Sequence, residues 1–304
     1  MQSTRLKKIF SQIALIGVAL VWGWTFTVVK DAVTTYPTLD FLACRFTIAL
    51  IFFLPFFLRK REEQRSNARK FYQPLLVGMV LGFAYAFQTW GLRLTTATNC
   101  GMITGLFILF TPLCLLVLFR TKVPKIQWLA ILASCFGLVL LAQSDSLHLE
   151  GDLLALSGAL LFGLHIALLG RWSQYWSTLE LTVWQIVVAV CVFWLLRLGF
   201  TAEPFVLPSG YQLWFALILT GVVATALGFF IQTFSQRVLS PVTVAAILVT
   251  EPLFSAIFGA ALHGDRLSLV QLGGGAIMFA AMVFVAVDSA RSARGEETSI
   301  RCGN

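Results

Sequence analysis

Along the chain, long apolar runs alternate with short polar ones. Runs of about 20 apolar residues, enough to cross some 30 Å of hydrocarbon as a helix, fall at roughly Ile9 to Val29, Leu39 to Leu58, Pro74 to Leu92, Thr98 to Phe119, Ile126 to Gln143, Asp152 to Arg171, Thr178 to Gly199, Tyr211 to Gln236, Pro241 to Leu262 and Leu267 to Val287. They predict ten transmembrane helices joined by short polar connections, an all-α integral membrane protein. Arg5, Lys7 and Lys8 ahead of the first run imitate a secretory leader. That run is long, ends in Lys30-Asp31 and lacks a small-x-small cleavage site, so it is expected to remain as the first span.

The polar segments give the expected orientation. With the N-terminus in the cytoplasm, 17 of the 22 basic residues fall on inner segments and only Lys30, Arg93, Arg197 and Arg266 on outer ones; Arg45 lies within a span. This positive-inside bias predicts a multi-pass protein of the cytoplasmic (inner) membrane with both termini cytoplasmic. The tail from Asp288 to Asn304 is polar and expected to be disordered.

Composition agrees and narrows the class. Of the 304 residues, 58% are hydrophobic and only 12% charged, with a mean hydropathy of +0.85, against about 25% charged in soluble domains. A net charge of +8 would suit nucleic acid only if a basic polar face existed, and there is too little polar sequence to build one. The absence of a soluble domain excludes nucleotide-driven pumping within this chain. Cys44, Cys100, Cys114, Cys135, Cys191 and Cys302 are scattered, without a C-x-x-C or a matching histidine cluster, and read as small apolar packers. No metal site or cofactor is expected.

The chain also repeats itself. A shift of 140 residues superposes Ala19-Leu20-Val21-Trp22-Gly23 on Ala159-Leu160-Leu161-Phe162-Gly163, Thr38-Leu39-Asp40 on Thr178-Leu179-Glu180, and Pro112-Leu113 on Pro252-Leu253. A shift of 144 brings Phe87-Gln88-Thr89-Trp90 onto Ile231-Gln232-Thr233-Phe234. Five spans per half is an odd number, so the second copy must enter the membrane from the opposite side: two inverted five-helix repeats, over residues 9–143 and 152–287. They are flanked by a cytoplasmic N-terminus (1–8), an external linker (144–151) and a cytoplasmic tail (288–304). Thr38 and Thr178 read as helix N-caps, with Asp40 and Glu180 favouring the positive helix start.

These residues resemble the EamA-type transporters of the drug/metabolite transporter superfamily. The likeness spans Ile9 to Val287: five plus five spans, Trp22-Gly23 followed by Phe26 in the first, Arg45-Phe46 in the second, and Pro112 and Pro252 in the fourth and ninth. Where the family has a Gly-Glu pair after the ninth helix, this chain has Gly264-Asp265. The resemblance implies movement of small metabolites, commonly amino acids or related compounds outward, with importers also known, and fixes no substrate.

Polar side chains inside spans are costly and face a cavity or a partner helix. The repeat pairs Thr25 with His165, Arg45 with Gln185, Gln88 with Gln232 and Thr111 with Glu251. The first three pairs form two polar layers flanking the midplane, with Thr111 and Glu251 between them. Pro112 and Pro252 are expected to break their helices there, freeing carbonyls towards a cavity or simply kinking the helices to pack. Glu251 is the only carboxylate in mid-span: it is protonated, paired or ligating a cation, or it caps the helix that restarts at Pro252. Arg45 binds a substrate carboxylate, pairs with Glu251 or snorkels to water. His165 is a titrating group or a satisfied packing residue. Gln88 and Gln232 are interhelical hydrogen-bonders first and cavity groups second. Trp24, Tyr85 and Trp184 are candidates for an aromatic wall suited to a cationic or aromatic substrate. Gly273, Gly274, Gly275 and Ala276 in the tenth span, with Ala130, Ala133 and Gly137 in the fifth, predict close helix packing away from the cavity.

The expected function is secondary active transport of a small metabolite, such as an amino acid or amine, by alternating access, in the direction of export, with import or passive exchange as the alternative. The expected partners are the substrate, the lipid bilayer and a proton or other cation as coupling ion, in a monomer or homodimer. No H-E-x-x-H, G-x-S-x-G or phosphate-binding loop supports an enzyme, and no repeated selectivity filter supports a channel.

Overall fold

The computed structural model describes residues 2–59, 70–141, 148–263 and 268–302. The ordered elements are α1 (Gln2–Thr35), α2 (Thr38–Leu58), α3 (Tyr72–Leu94), α4 (Ala97–Gly105), α5 (Phe107–Phe119), α6 (Lys125–Leu141), α7 (Leu149–Trp172), α8 (Thr178–Phe200), α9 (Tyr211–Ile218), α10 (Gly228–Ser235), α11 (Pro241–Leu248), α12 (Glu251–His263) and α13 (Leu269–Cys302). The described residues contain no strand. Among the described residues, nine helical stretches are long and apolar enough to cross a membrane, with α4–α5, α9–α10 and α11–α12 counting as one each. The predicted fifth span is the shorter apolar helix α6. The last helix continues to Cys302, where disorder was expected from Asp288. Gly264-Asp265 lies outside the described residues.

Packing follows the sidedness of the apolar residues. Phe41, Phe46, Phe193 and Phe229 are fully enclosed, whereas Ile51, Leu54, Val117, Leu195 and Leu198 face outward. An apolar exterior is the surface a bilayer requires, since helices satisfy their own backbone and leave only side chains to meet lipid. Helix α3 packs on α7 and α8, α1 on α12, α2 on α8, and α6 on α13. Gly137 of α6 lies so close to α13 that a Cβ there would stand 2.7 Å from the Gly274 carbonyl oxygen. The two backbones touch, as the small residues predict, while Gly273 faces open space. Cys44, Cys100, Cys114, Cys135 and Cys191 are free.

The helix starts depart from expectation by one residue. Ser177 caps α8, its hydroxyl accepting from the Glu180 N–H, and Thr178 is the first helical residue. Pro37 precedes α2 without a side-chain cap, and the Thr38 hydroxyl has no partner. A capping hydroxyl acts from an extended residue just before the first turn, and the threonines already lie inside it. Asp40 lies in the first turn of α2, as expected of a carboxylate at a positive helix start, and it has distant partners as well. Its carboxylate meets Arg197 of α8 at 2.6 Å and accepts the Val206 N–H at 3.3 Å, joining α2, α8 and the loop beyond at the end of the bundle away from the N-terminus, the far end.

The fourth and ninth spans are interrupted, a little before the prolines. The fourth tightens at Leu106, where the N–H turns to the Ile103 carbonyl; the ninth does so at Thr250, which turns to Ile247. Pro112 sits inside α5 and Pro252 in the first turn of α12. Proline is accommodated in a first turn because its missing N–H has no helical partner there. At Pro112 the preceding turn loses a bond within a continuous helix.

Candidate functional site

A small cavity of about 40 Å³ lies between the two halves. Two helices supply facing walls with the same spacing: Trp22, Thr25, Phe26 and Val29 from α1, and Tyr85, Gln88, Thr89 and Leu92 from α3. The intervals of three, four and seven place each set on one stripe of its helix. Arg45, Thr104, Phe107, Phe162, His165, Ile166, Phe229, Gln232, Leu248 and Glu251 close the remaining sides.

Two charged residues reach this space. Glu251 stands where α12 restarts after the interruption at Val249 and Thr250, and it is 6% exposed. Arg45, 3% exposed, donates from Nε to the Thr225 hydroxyl at 2.8 Å, and its guanidinium lies 4.8 Å from the Tyr85 ring centroid. Arg45 and Glu251 line the same cavity but form no ion pair with one another. A buried charge without a direct counterion is costly, and here each is left with capacity to bind something else.

Thr225 belongs to an unusual segment. Residues Leu219–Leu227, between α9 and α10, form a π-helix, a wider turn often found at functional sites. Its Ala224 carbonyl accepts the Trp22 indole N–H at 2.8 Å. Trp22 and Arg45 thus hold the widened turn from two other helices, while the Trp22 ring packs 5.4 Å from Phe229. Tyr85 meets Phe162 at 5.1 Å and Phe229 at 6.0 Å, mostly edge to face, so an aromatic collar surrounds the cavity.

On the side of the N-terminus the polar groups are neutral and linked. His165 Nε2 lies 2.9 Å from Gln185 Oε1, and Gln185 Nε2 donates to the Thr233 hydroxyl at 3.1 Å. Because that amide nitrogen is committed to Thr233, Oε1 is the acceptor, and a neutral His165 carries its proton on Nε2. Gln88, nearer the far end on α3, donates separately to Thr104 at 3.2 Å. Gln232 is 1% exposed, and its Oε1 has no partner. An orphaned acceptor facing a cavity can take a donor from a ligand.

Of the predicted residues, Thr25, Arg45, Tyr85, Gln88, His165, Gln232 and Glu251 meet at the cavity. The others do not. Gln185 stands behind His165. Thr111 is fully buried and bonds back to the Phe107 carbonyl at 2.8 Å, the usual refuge of a helical threonine. Trp24 stacks on Phe258 at 6.0 Å, turned away because its neighbour Trp22 occupies the cavity stripe. Trp184 packs against Phe71. Trp22, Phe162 and Phe229 were missed as cavity residues, although Trp22 and Phe162 share one repeat position. The glycines that follow them explain the motif. A Cβ at Gly23 would lie 2.7 Å from the Glu251 carbonyl oxygen, and one at Gly163 2.9 Å from the Thr111 nitrogen. Each glycine seats its helix against an interrupted span and thereby aims the preceding aromatic ring inward. No cluster of metal-ligating side chains occurs among the described residues.

The profile of one family matches the chain twice, over residues 9–143 and 149–287. The chain belongs to the EamA-like transporter family. Its second EamA-like unit begins at Leu149, with α7. Relatives of similar length carry the same description in their names: an uncharacterized transporter of Archaeoglobus fulgidus, 29% identical over 93% of this chain and 87% of its own, and the uncharacterized inner membrane transporter YedA of Escherichia coli K12, 25% identical over 89% of each. YoaV of Bacillus subtilis, also named an uncharacterized transporter, is 19% identical over 81% of this chain and 86% of its own. A crystal structure of a protein 17% identical superposes with a TM-score of 0.75, covering 91% of this chain and 98% of that one; it supports the fold alone. The EamA-like chain is thus a multi-pass membrane protein of transporter type.

Proposed function

We propose that this EamA-like protein is a secondary active transporter that moves a small amino-bearing metabolite, an amino acid or amine with an apolar body, across the cytoplasmic membrane by alternating access. The carrying observation is that a guanidinium, Arg45, and a carboxyl group, Glu251, line one cavity without forming an ion pair. A substrate ammonium would be held by Glu251 and a carboxylate by Arg45, charge-assisted hydrogen bonds being the strong ones. Its apolar body would lie against Trp22, Tyr85, Phe162 and Phe229, where rings also favour a cation.

The ten helices are read as two inverted five-helix repeats that rock about this midplane site, with both termini cytoplasmic and export as the working direction. Support for the inversion comes from the matched contacts of Gly23 with the ninth span and Gly163 with the fourth. Support for the orientation comes from the basic residues on the side of the N-terminus. Glu251 is the residue proposed to exchange a coupling proton or cation with the substrate ammonium.

An uptake screen in proteoliposomes, across amino acids, amines and nucleosides at two pH gradients, tests the proposal. Saturable exchange of an amino-bearing compound, lost in Glu251→Gln, is expected. Flux that is linear in concentration would indicate a channel, and transport unchanged in rate and pH dependence in Glu251→Gln would remove the coupling role.

A further inference from the structure

Lys30 ends a cavity wall and reaches across to the opposite one. It follows Val29, the last cavity residue of α1, and its ammonium donates to the carbonyls of Leu92, Arg93 and Thr95 at 2.8, 3.0 and 2.7 Å. Leu92 is the last cavity residue of α3. Three carbonyls saturate the three N–H donors of an ammonium, and those at a helix C-terminus are otherwise unpaired and carry partial negative charge. The same corner is tied onward to the second half, since the Thr95 hydroxyl donates to the Asp152 carboxylate at 2.7 Å.

The middle of α1 belongs to other partners: Trp22 bonds to Ala224, and Gly23 packs on Glu251. Lys30 therefore bridges two groups of helices directly over the far end of the cavity. The N-terminal end is built differently. At the 140-residue shift Lys30 falls on Gly170, which has no side chain to reach across and instead lies against Pro241. The bonds there run from Gln236 Nε2 to the Ile166 carbonyl at 2.8 Å, from Ser173 Oγ to the Gln236 carbonyl at 3.1 Å and from the Arg237 guanidinium to the Thr178 hydroxyl at 3.4 Å, and none is a lysine in a carbonyl cradle.

We propose that Lys30 is the far-side latch of the transport cycle: its ammonium must leave the carbonyl cradle at the end of α3 before the cavity opens to that side, and its presence in one half only biases the resting protein towards the far-side-closed state. The proposal rests on the alternating-access reading above. A ligand can shift such an equilibrium only through differential interaction with the two states, so removing an interaction made in one state alone shifts the populations of both.

The test is thiol labelling of Thr89→Cys, on the cavity stripe next to the latch, with a membrane-impermeant maleimide added from either face of oriented vesicles. The signal of the same protein without Thr89→Cys is subtracted for the native cysteines. Lys30→Met is expected to raise labelling from the far side several-fold and lower it from the N-terminal side, with Lys30→Arg staying near the parent. Unchanged labelling, or an equal rise from both faces as general loosening gives, overturns the latch. If Lys30→Met fails to insert, Lys30→Gln, uncharged but still a donor, carries the same comparison. In the parent, far-side and N-terminal-side labelling that never respond oppositely to any condition or substrate would instead overturn alternating access itself.

Discussion

Gly23 of α1 lies against the backbone of Glu251 so closely that a single added carbon would stand 2.7 Å from the Glu251 carbonyl oxygen. The residue offered as the centre of transport chemistry is thus positioned by a contact with no spare room. Overpacking of this kind costs about 1–3 kcal/mol. Gly23→Ala is expected to lower the unfolding temperature in detergent, whereas Gly17→Ala, with nothing within 4 Å, leaves it unchanged or slightly raised, since alanine favours a helix. Thermal unfolding of the two purified variants makes the comparison.

Arg45 donates to Thr225 from Nε while its guanidinium lies 4.8 Å from the Tyr85 ring centroid, and the single ammonium of a lysine cannot hold both contacts and keep a planar fork for a carboxylate. Arg45→Lys is expected to weaken transport of a carboxylate-bearing substrate about 10- to 100-fold, corresponding to roughly 1.5–3 kcal/mol for a hydrogen bond to a charged group. The decarboxylated amine should be much less affected. Competition by the two compounds in one uptake assay reads the difference; equal loss for both would show that Arg45 acts on structure rather than on the carboxylate.

Trp22 donates its indole N–H to the Ala224 carbonyl in the π segment. Trp22→Phe keeps a ring on the cavity wall and leaves that carbonyl without its partner, a penalty of about 1–3 kcal/mol when buried. We expect lower thermal stability with a smaller change in apparent substrate affinity. Trp24→Phe should leave affinity untouched, because Trp24 stacks on Phe258 outside the cavity.

Asp40 and Arg197 form a buried ion pair at 2.6 Å. Removing one partner strands the other, at a cost of about 3–5 kcal/mol, while replacing both by apolar residues is often neutral. Asp40→Leu and Arg197→Met should each destabilise strongly, and the double variant should recover most of the loss. A double-mutant cycle by thermal unfolding measures the coupling.

How much of this was legible in the sequence follows from the kind of signal each feature leaves. Long apolar runs, the spacing of the repeat and the rarity of Arg45 and Glu251 within spans are one-dimensional, and they anticipated the helical membrane fold and most of the polar cavity residues. What failed depended on rotation about a helix axis or on partners far apart in the chain. Trp22 and Trp24 are two residues apart and so point in different directions, which depth along a span cannot distinguish. Asp40 does lie in the first turn of α2, but its pairing with Arg197, 157 residues away, left no local signal. The π-helix at Leu219–Leu227 left no composition signal at all, although the change of repeat shift from 140 to 144 marked extra residues before Gln232.

The central claim is that Arg45 and Glu251 together hold one small amino-bearing molecule that is exchanged across the membrane. Counterflow in proteoliposomes tests it most directly: vesicles preloaded with an unlabelled amino acid or amine are given a trace of the labelled compound outside. The account predicts transient, saturable accumulation of label by the parent protein and its loss in Glu251→Gln. Label that equilibrates without overshoot, or an overshoot that persists unchanged in Glu251→Gln, would contradict it.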